Sequence, residues 1–345
     1  MSIWPIFLQQ AVSSRQSRSS TSFSSGGSSQ CLDTSTAKVV FVTRYTIRAA
    51  FLDARVDKRK SIINGIRGSK RVSVIILTRN SAQTIGGCIE SVVREEPREI
   101  IAVDAQSTDS TVRILRRYGV KTVTDRVRSL GFARQLGVNA ARGDFVMFVD
   151  SDIRLGAGCI ETMLYELEKN GWAGIHARLL SAENVSYWQR AQDQSFLSYY
   201  DIGPIRRIDT IAAMFRRDVL LRCPFDPYFS ESAEDVDLSR RLIDANYELG
   251  VSSAVAYHLH RREFSAFVRQ RYRNGLGIAR ISLKYNDTRA LIEPSVGSFL
   301  LTIRDMLKGR IGLVPFRLVT GLAIFVGIFM GYSRLRPSLP RPKPR

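Results

Sequence analysis

A regular alternation of strand and helix patterns between Arg71 and Val149 is the feature that most constrains the fold of this chain. Apolar and β-branched runs typical of buried strands stand at Val72–Leu77, Glu99–Val103, Val120–Thr124 and Phe145–Val149. Helical spacing separates them at Ala82–Val93, Thr111–Tyr118 and Ser129–Ala141. Such alternation indicates βαβ units around a parallel sheet.

The pattern becomes mixed after Val149. Helices are predicted at Ile160–Glu168, Val236–Asn246 and Phe264–Tyr285, and strands at Ile208–Phe215 and Glu248–Tyr257. The predicted fold class is therefore α/β, with a mixed, mostly parallel sheet flanked by helices and a C-terminal membrane-associated helical region.

Carboxylates follow two of the predicted strands. Asp104 ends the second strand, and Asp150 and Asp152 end the fourth. Ligands of such sheets gather beyond the strand carboxyl ends, so these side chains are expected at one edge. Two aspartates at i and i+2 can converge on a hard cation shared with a diphosphate, although Asp and Ser are also ordinary turn residues.

The net charge of +19 indicates an anionic partner such as nucleic acid, anionic lipid or a phosphorylated substrate. From Arg261 to the end there are 17 Lys/Arg and 4 Asp/Glu, so most of the surplus lies far from the aspartates. It flanks an apolar run, Ile311–Tyr332, broken only by Pro315 and Arg317. The uninterrupted part is shorter than the ~20 residues that cross a bilayer, so an interfacial helix fits best, with a buried core helix as the alternative.

Composition and charge divide the chain into four predicted regions. Ser-rich residues 1–35 are typical of a disordered tail, a transit peptide or a start codon assigned too far upstream. The predicted organisation is an N-terminal extension (1–68), a catalytic domain (69–260), a basic helical extension (261–310) and an apolar helix with a basic tail (311–345). Four scattered cysteines with no CxxC spacing indicate a reducing compartment. No GxGxxG motif follows the first strand, which argues against a dinucleotide-binding oxidoreductase.

Five motifs in order resemble the family 2 glycosyltransferases, which use nucleotide-sugar donors and have the GT-A fold. They are Val72–Asn80, Val103–Asp109, Phe132–Gln135, Asp150–Asp152 and Glu234–Leu238. The resemblance runs from about Arg71 to Arg280. The fold that it implies is a GT-A-type sheet.

The resemblance assigns donor-binding roles. Asp104 matches the aspartate that contacts the nucleobase, and Thr78 and Asn80 match the donor-contacting end of the first strand. Arg134 matches an arginine near the base. The chain departs from the family's Asp-Asp-Gly-Ser at Asp104–Ser107, because Ala and Gln replace the second Asp and the Gly.

The metal site is implied by the same resemblance. Asp152 and, less directly, Asp150 match the DxD motif and would hold Mg²⁺ or Mn²⁺, which stabilises the departing diphosphate. Asp150 is also assigned to the donor. His258, at a strand end before His260, would complete the metal site, although a surface or core histidine is the alternative.

The acceptor side is assigned to Glu234 and Asp235, with Asp235 as the general base and Glu234 beside it. Good N-capping of the following helix is the alternative, and Asp237 is expected to be an exposed first-turn acid. Arg273, on the next helix, would neutralise the diphosphate or lie on a solvated face. Aromatic residues Trp188, Tyr199 and Tyr200 stand where acceptors bind in this family.

The sequence thus predicts a metal-dependent, inverting glycosyltransferase at the cytoplasmic side of the cell membrane, attached peripherally or by one C-terminal membrane helix. Its partners are a nucleotide-sugar donor, a glycan or polyprenyl-linked acceptor and the membrane surface, with no nucleic acid. A polyprenyl-phosphate sugar synthase is the alternative. Its acceptor is already an anion and needs no general base, so the presence of Glu234 and Asp235 counts against it. A basic nucleic-acid-binding protein is more remote, because the charge clusters beside an apolar helix.

Overall fold

The structure is a computed structural model that describes residues 68–127, 129–183, 186–197, 202–260 and 263–335. The Ser-rich N-terminal segment, Tyr199, Tyr200 and the basic tail from Arg336 therefore lie outside the described residues. The predicted boundaries of the extension and of the membrane region stay predictions.

A nine-stranded mixed sheet organises the described part of the chain. Its strands are β1 (Val72–Thr78), β2 (Glu99–Asp104), β3 (Lys121–Thr124), β4 (Phe145–Asp150), β5 (Ile153–Leu155), β6 (Gly174–Ser181), β7 (Gly203–Ile205), β8 (Ala212–Arg216) and β9 (Leu249–His258). The order is β3-β2-β1-β4-β8-β6-β9-β5, and β7 also pairs with β9. Only β5, β7 and β8 run against the other six, so the predicted mixed, mostly parallel sheet is confirmed.

Helices cover both faces of the sheet and extend beyond it. They are α1 (Ile85–Val93), α2 (Thr111–Arg117), α3 (Leu130–Ala140), α4 (Cys159–Asn170), α5 (Tyr187–Leu197), α6 (Arg217–Arg222), α7 (Glu234–Asp244), α8 (Phe264–Tyr285), α9 (Arg289–Leu307) and α10 (Val314–Leu335). The strands and helices predicted up to Val149 are all present. Strands β5, β6 and β7 and helices α5, α6 and α9 are additional to the prediction.

Alternate residues of the central strands enter two apolar cores. Val74, Ile76 and Met147 join the core under α1 and α4. Ile75 and Phe148 point the other way, into the core under α3, α6 and α7. Because both faces are covered, β1 and β4 are apolar almost throughout, as the sequence pattern required.

The C-terminal apolar helix is longer than expected. Pro315 lies in the first turn of α10, where its missing N–H costs no hydrogen bond, and the helix continues through Arg317. These two residues interrupt the apolar run but not the helix. Among the described helices, one, Ile311–Leu335, is by length and composition long and apolar enough to cross a membrane.

Asp237 is a second correction. Instead of being exposed, its side chain is fully buried between α7 and α8. It accepts hydrogen bonds from Arg241 Nε at 2.8 Å and Tyr285 Oη at 2.7 Å, and it also pairs with Lys284. A buried carboxylate is stable only when such partners surround it. Because the partners of Asp237 lie on both α7 and α8, the residue joins these two helices.

Candidate functional site

The predicted donor and metal residues meet at the carboxyl edge of the sheet. Thr78 lies opposite Asp104 across β1 and β2, and Leu77 lies opposite Asp150 across β1 and β4. Strand β8 starts at this edge, because the Asp150 N–H donates to the Ile211 carbonyl at 2.9 Å. The parallel arrangement therefore collects side chains from strands that are far apart in sequence.

Asp104 is held by three hydrogen bonds. Its Oδ1 accepts from Thr78 Oγ1 at 3.0 Å and from Ser107 Oγ at 2.5 Å, and its Oδ2 accepts from the Ser107 N–H at 2.9 Å. The residue is 4% exposed. These bonds fix the carboxylate and leave some of its acceptor capacity for a ligand.

The loops that follow β1 and β2 are tied together. Asn80 Oδ1 accepts from the Thr108 N–H at 2.8 Å, and the Asn80 N–H donates to Ser107 Oγ at 2.9 Å. Asn80 and Gln106 have φ of 50° and 55°, a left-handed conformation that costs energy in non-glycine residues. The related motif has glycine at the position of Gln106. The left-handed backbone at this position explains that glycine, because glycine adopts the conformation without strain.

Arg134 is buried and links Asp150, at the end of β4, to Glu234, at the start of α7. Its Nε donates to Glu234 Oε1 at 2.9 Å, and its Nη2 lies 3.6 Å from Asp150 Oδ1. Its Nη1 donates to the Thr210 carbonyl at 3.2 Å, and the guanidinium lies over Phe148. Arg134 therefore contacts carboxylates inside the protein, and its assigned nucleobase contact stays a prediction.

Replacing Arg134 with Met should strongly destabilise the protein, because Glu234 would remain buried without a charge partner. We expect about 3–5 kcal/mol lower free energy of unfolding. Arg71 is a matched control: it also bonds two carboxylates, Asp144 and Glu168, and lies over Phe145, but its side chain is 43% exposed.

Arg71→Met should cost about 1 kcal/mol or less, because exposed pairs contribute little. Urea denaturation of both variants measures the difference. An Arg134→Met loss no larger than that of Arg71→Met would contradict a buried linking role.

Asp152 faces His258. Their carboxylate oxygen and Nε2 are 3.4 Å apart, and the strands β5 and β9 that carry the surrounding backbone are paired. Burial lowers the pKa of His258, but Asp152 and Asp150 outweigh this and leave it raised. Burial raises the pKa of Asp150 to about 6, against the effect of Arg134.

The side chains of Asp150, Asp152 and His258 are of the chemical types that can bind a hard divalent cation. Two carboxylates and one imidazole stand near each other at an open edge, and oxygen-rich sets with free positions suit Mg²⁺ or Mn²⁺. No cluster of three His, Cys, Asp or Glu residues is preformed for a metal within the described ranges. Cation binding by these three residues therefore stays a prediction.

Asp235 lies in a second acidic group at the first turn of α7. Its Oδ2 is 3.7 Å from Arg207 Nη2, which also donates to Asp209 Oδ1 at 3.2 Å. Burial raises the pKa of Asp235 to about 8; Glu234 and Asp209 add to the rise, and Arg207 opposes it. A carboxyl with such a pKa is suited to proton transfer near neutral pH.

The other assigned side chains lie further out. Arg273 is exposed, and its backbone carbonyl accepts from Ser232 Oγ at 2.7 Å, just before α7. Trp188 stacks on Phe267 with ring centroids 5.2 Å apart, so it packs at the junction of α5 and α8. The roles assigned to both residues stay predictions.

The family comparison agrees with this geometry. Residues 73–223 match the family model described as "Glycosyl transferase family 2". Over this segment the chain is similar to the family 2 glycosyltransferases. The match agrees with the recognition made from the five motifs, and the structure confirms the mixed, mostly parallel sheet of the expected fold class.

Individual relatives match this chain over short stretches. The chain is 35% identical over 98 residues to a poly(ribitol-phosphate) beta-glucosyltransferase of Bacillus spizizenii, covering 25% of this chain and 16% of that protein. It is 30% identical over 115 residues to a 4,4'-diaponeurosporenoate glycosyltransferase of Staphylococcus aureus, covering 31% and 30%. The chain thus spans less than a third of either relative.

Two solved structures are similar to this chain. S. aureus TarS 1–349 in complex with UDP-GlcNAc has a TM-score of 0.44 and 16% identity, covering 78% of this chain and 92% of that one. Mycobacterium tuberculosis glucosyl-3-phosphoglycerate synthase, in complex with Mn²⁺, UDP and glucosyl-3-phosphoglycerate, has a TM-score of 0.47 and 19% identity, covering 63% and 82%.

The sequence analysis missed Arg207, Asp209 and Thr210 as residues of the candidate site. They precede β8, which runs against its neighbours and so brings its amino end to the shared edge. The predicted strand started at Ile208, so it placed Asp209 and Thr210 in its interior and left Arg207 directly before it. The run Arg206-Arg-Ile-Asp-Thr210 was the available signal, because two arginines and an aspartate directly before an apolar strand are unusual for a buried segment.

Proposed function

We propose that this protein transfers a sugar from a nucleotide-sugar donor to a hydroxyl of a glycan or lipid-linked acceptor, with inversion and with a divalent cation. The observation that carries the proposal is the position of Arg134. One guanidinium contacts Asp150, on the cation side, and Glu234, next to the proposed base. The two halves of a displacement site are thereby held at a fixed separation.

The cation side would consist of Asp152, Asp150 and His258. A cation bound there supplies Lewis acidity toward the departing diphosphate. Arg134 fixes the orientation of Asp150. On the donor side, Asp104 is oriented by Thr78 and Ser107 toward the nucleobase end, with Asn80 holding the loop.

Asp235 would accept the proton of the attacking hydroxyl. Glu234 is engaged by Arg134 and is 4% exposed, so its role is to neutralise and position rather than to take a proton. Arg207 lies 3.7 Å from the Asp235 carboxylate and also pairs with Asp209, and both residues belong to the segment before β8. A single base opposite the leaving group supports direct displacement and hence inversion.

Screening the purified protein for hydrolysis of UDP-, GDP- and dTDP-sugars, with and without Mn²⁺, tests the proposal. Turnover of a nucleotide-sugar only with the cation is expected, and NMR of the product anomer reads the stereochemistry. Acceptors with a free hydroxyl should be used in preference to polyprenyl phosphate. The reverse preference would favour a polyprenyl-phosphate sugar synthase.

The rate should rise with pH toward about 8, because Asp235 must be ionised and its pKa is raised to about 8. Asp209→Asn removes a charge that raises this pKa, so the rising limb of kcat/KM should move to lower pH. Arg207→Gln removes a charge that lowers it, so the limb should move to higher pH. Identical pH profiles for the two variants would contradict Asp235 as the base.

Attachment to the cytosolic membrane face belongs to the same proposal. Helix α10 is apolar, and the basic residues Arg304, Lys308 and Arg310 precede it. An anionic leaflet attracts such flanks, and acceptors carried by lipid would then be close to the site.

A further inference from the structure

The C-terminal helices present an apolar surface larger than α10 alone. Exposed apolar residues on α10 repeat at helical spacing: Leu318, Leu322, Phe325, Val326 and Phe329. Helix α9 has a matching set: Ile292, Val296, Phe299, Leu300, Ile303, Met306 and Leu307. The set on α9 was not expected, because the sequence analysis placed these residues in a basic helical extension.

Helices α9 and α10 are joined as one antiparallel pair. Arg317 Nε donates to Asp305 Oδ2 at 3.1 Å, and both side chains are buried. Ser298 Oγ donates to the Arg317 carbonyl at 2.9 Å. On each helix the exposed stripe begins about a quarter-turn from this contact row, and for antiparallel helices the two stripes fall on the same side.

The opposite side of α10 is fixed to the catalytic domain. A Cβ on Gly327 would lie 2.1 Å from the Tyr272 carbonyl oxygen, and one on Gly275 would lie 2.2 Å from the Ile324 carbonyl oxygen. Small residues thus let α10 and α8 touch closely and run parallel. Helix α8 is held to the domain by Lys284, which bonds Asp226 at 2.7 Å.

This attachment opposes a crossing of the bilayer by α10. Crossing would carry the charged residues of α8 into hydrocarbon or separate the glycine contact, and each charge at mid-bilayer is costly. The turn between α9 and α10 has the composition of a lipid-contacting tip: Leu307 and Ile311 are 84% and 71% exposed, with exposed Lys308 and Arg310 between them. Apolar side chains interleaved with cations match an anionic lipid surface.

We propose that α9 and α10 together form a two-helix surface that lies in the plane of one anionic leaflet, without crossing it. This deepens the membrane attachment proposed above and does not depend on the chemistry of transfer. A second copy of the chain is the less favoured occupant, because it would bring two basic surfaces together in a chain of net charge +19.

Vesicle flotation of the full-length protein tests the surface. Ile303→Glu on α9 and Leu322→Glu on α10 should each reduce partitioning onto vesicles containing phosphatidylglycerol by about tenfold or more. Leu221→Glu is the matched control, because Leu221 is an exposed apolar residue on α6 of the catalytic domain. It should partition as the unchanged protein does.

Loss of binding in Leu322→Glu but not in Ile303→Glu would overturn the two-helix surface. Equal binding of all three variants, or a change only in oligomeric state by light scattering, would overturn lipid as the occupant. Nucleotide-sugar hydrolysis measured on the same samples separates these failures from a failure of the proposed chemistry, because no substitution touches the site.

Labelling with a membrane-impermeant maleimide tests the orientation. Lys308→Cys and Ser333→Cys flank α10 and would be placed in a chain with Cys31 and Cys223 replaced by Ser. Protein added outside sealed vesicles should be labelled at both positions. Protection of one position alone would show that α10 crosses the bilayer, against the proposal.

Discussion

Asp152→Asn should abolish sugar transfer, with a loss of about 10²-fold or more in kcat/KM. Its carboxylate faces His258 at 3.4 Å and is the proposed principal ligand of the cation, whose stabilisation of the diphosphate contributes several kcal/mol. Asp150→Asn should be milder, because Arg134 already engages that carboxylate. The measurements are turnover and Mn²⁺-dependent binding of a nucleoside diphosphate.

Asp144→Asn is the control for this pair. Asp144 directly precedes β4 at the opposite end of the strand, and its side chain is 66% exposed in a surface pair with Arg71. Activity of this variant should be unchanged, and the thermal stability of all three should be similar. Full activity of the unchanged protein in EDTA, or normal turnover in Asp152→Asn, would contradict the cation site.

Asp235→Asn should lower kcat by about 10²-fold or more, the usual contribution of a general base. Its carboxylate lies 3.7 Å from Arg207 and is assigned to the proposed acceptor side, so donor affinity should change little. Single-turnover kinetics and separate donor titrations distinguish the two quantities.

Asp237→Asn provides a matched control two residues further along α7. Asp237 is fully buried and joins Arg241 and Tyr285, so its replacement should lower the melting temperature while kcat of the folded fraction persists. If Asp235→Asn behaved in the same way, losing stability but not rate, Asp235 would be a structural residue of the helix start.

The sequence by itself determined the central sheet and the positions of its carboxylates. Continuous apolar runs such as those of β1 and β4 are typical of strands whose two faces are both covered by helices. Parallel strands bring their carboxyl ends to one edge of the sheet. Asp104 and Asp150 therefore met as predicted. Residues Gly174–Ser181 had no comparable pattern, because β6 contains Gly, His and Arg and is a strand only through pairing with β8 and β9.

Only the tertiary structure decided which charges are buried and what they contact. Arg134 finds Glu234 100 positions later in the chain, Asp237 finds Tyr285 48 positions later, and Arg317 finds Asp305 on the neighbouring helix. Spacing along a helix states which residues share a face, but not which distant element covers that face. The proposed lipid-facing side of α9 and α10 could not be deduced from the sequence for the same reason. The glycine contact with α8 buries one face of α10 and so decides which face remains exposed.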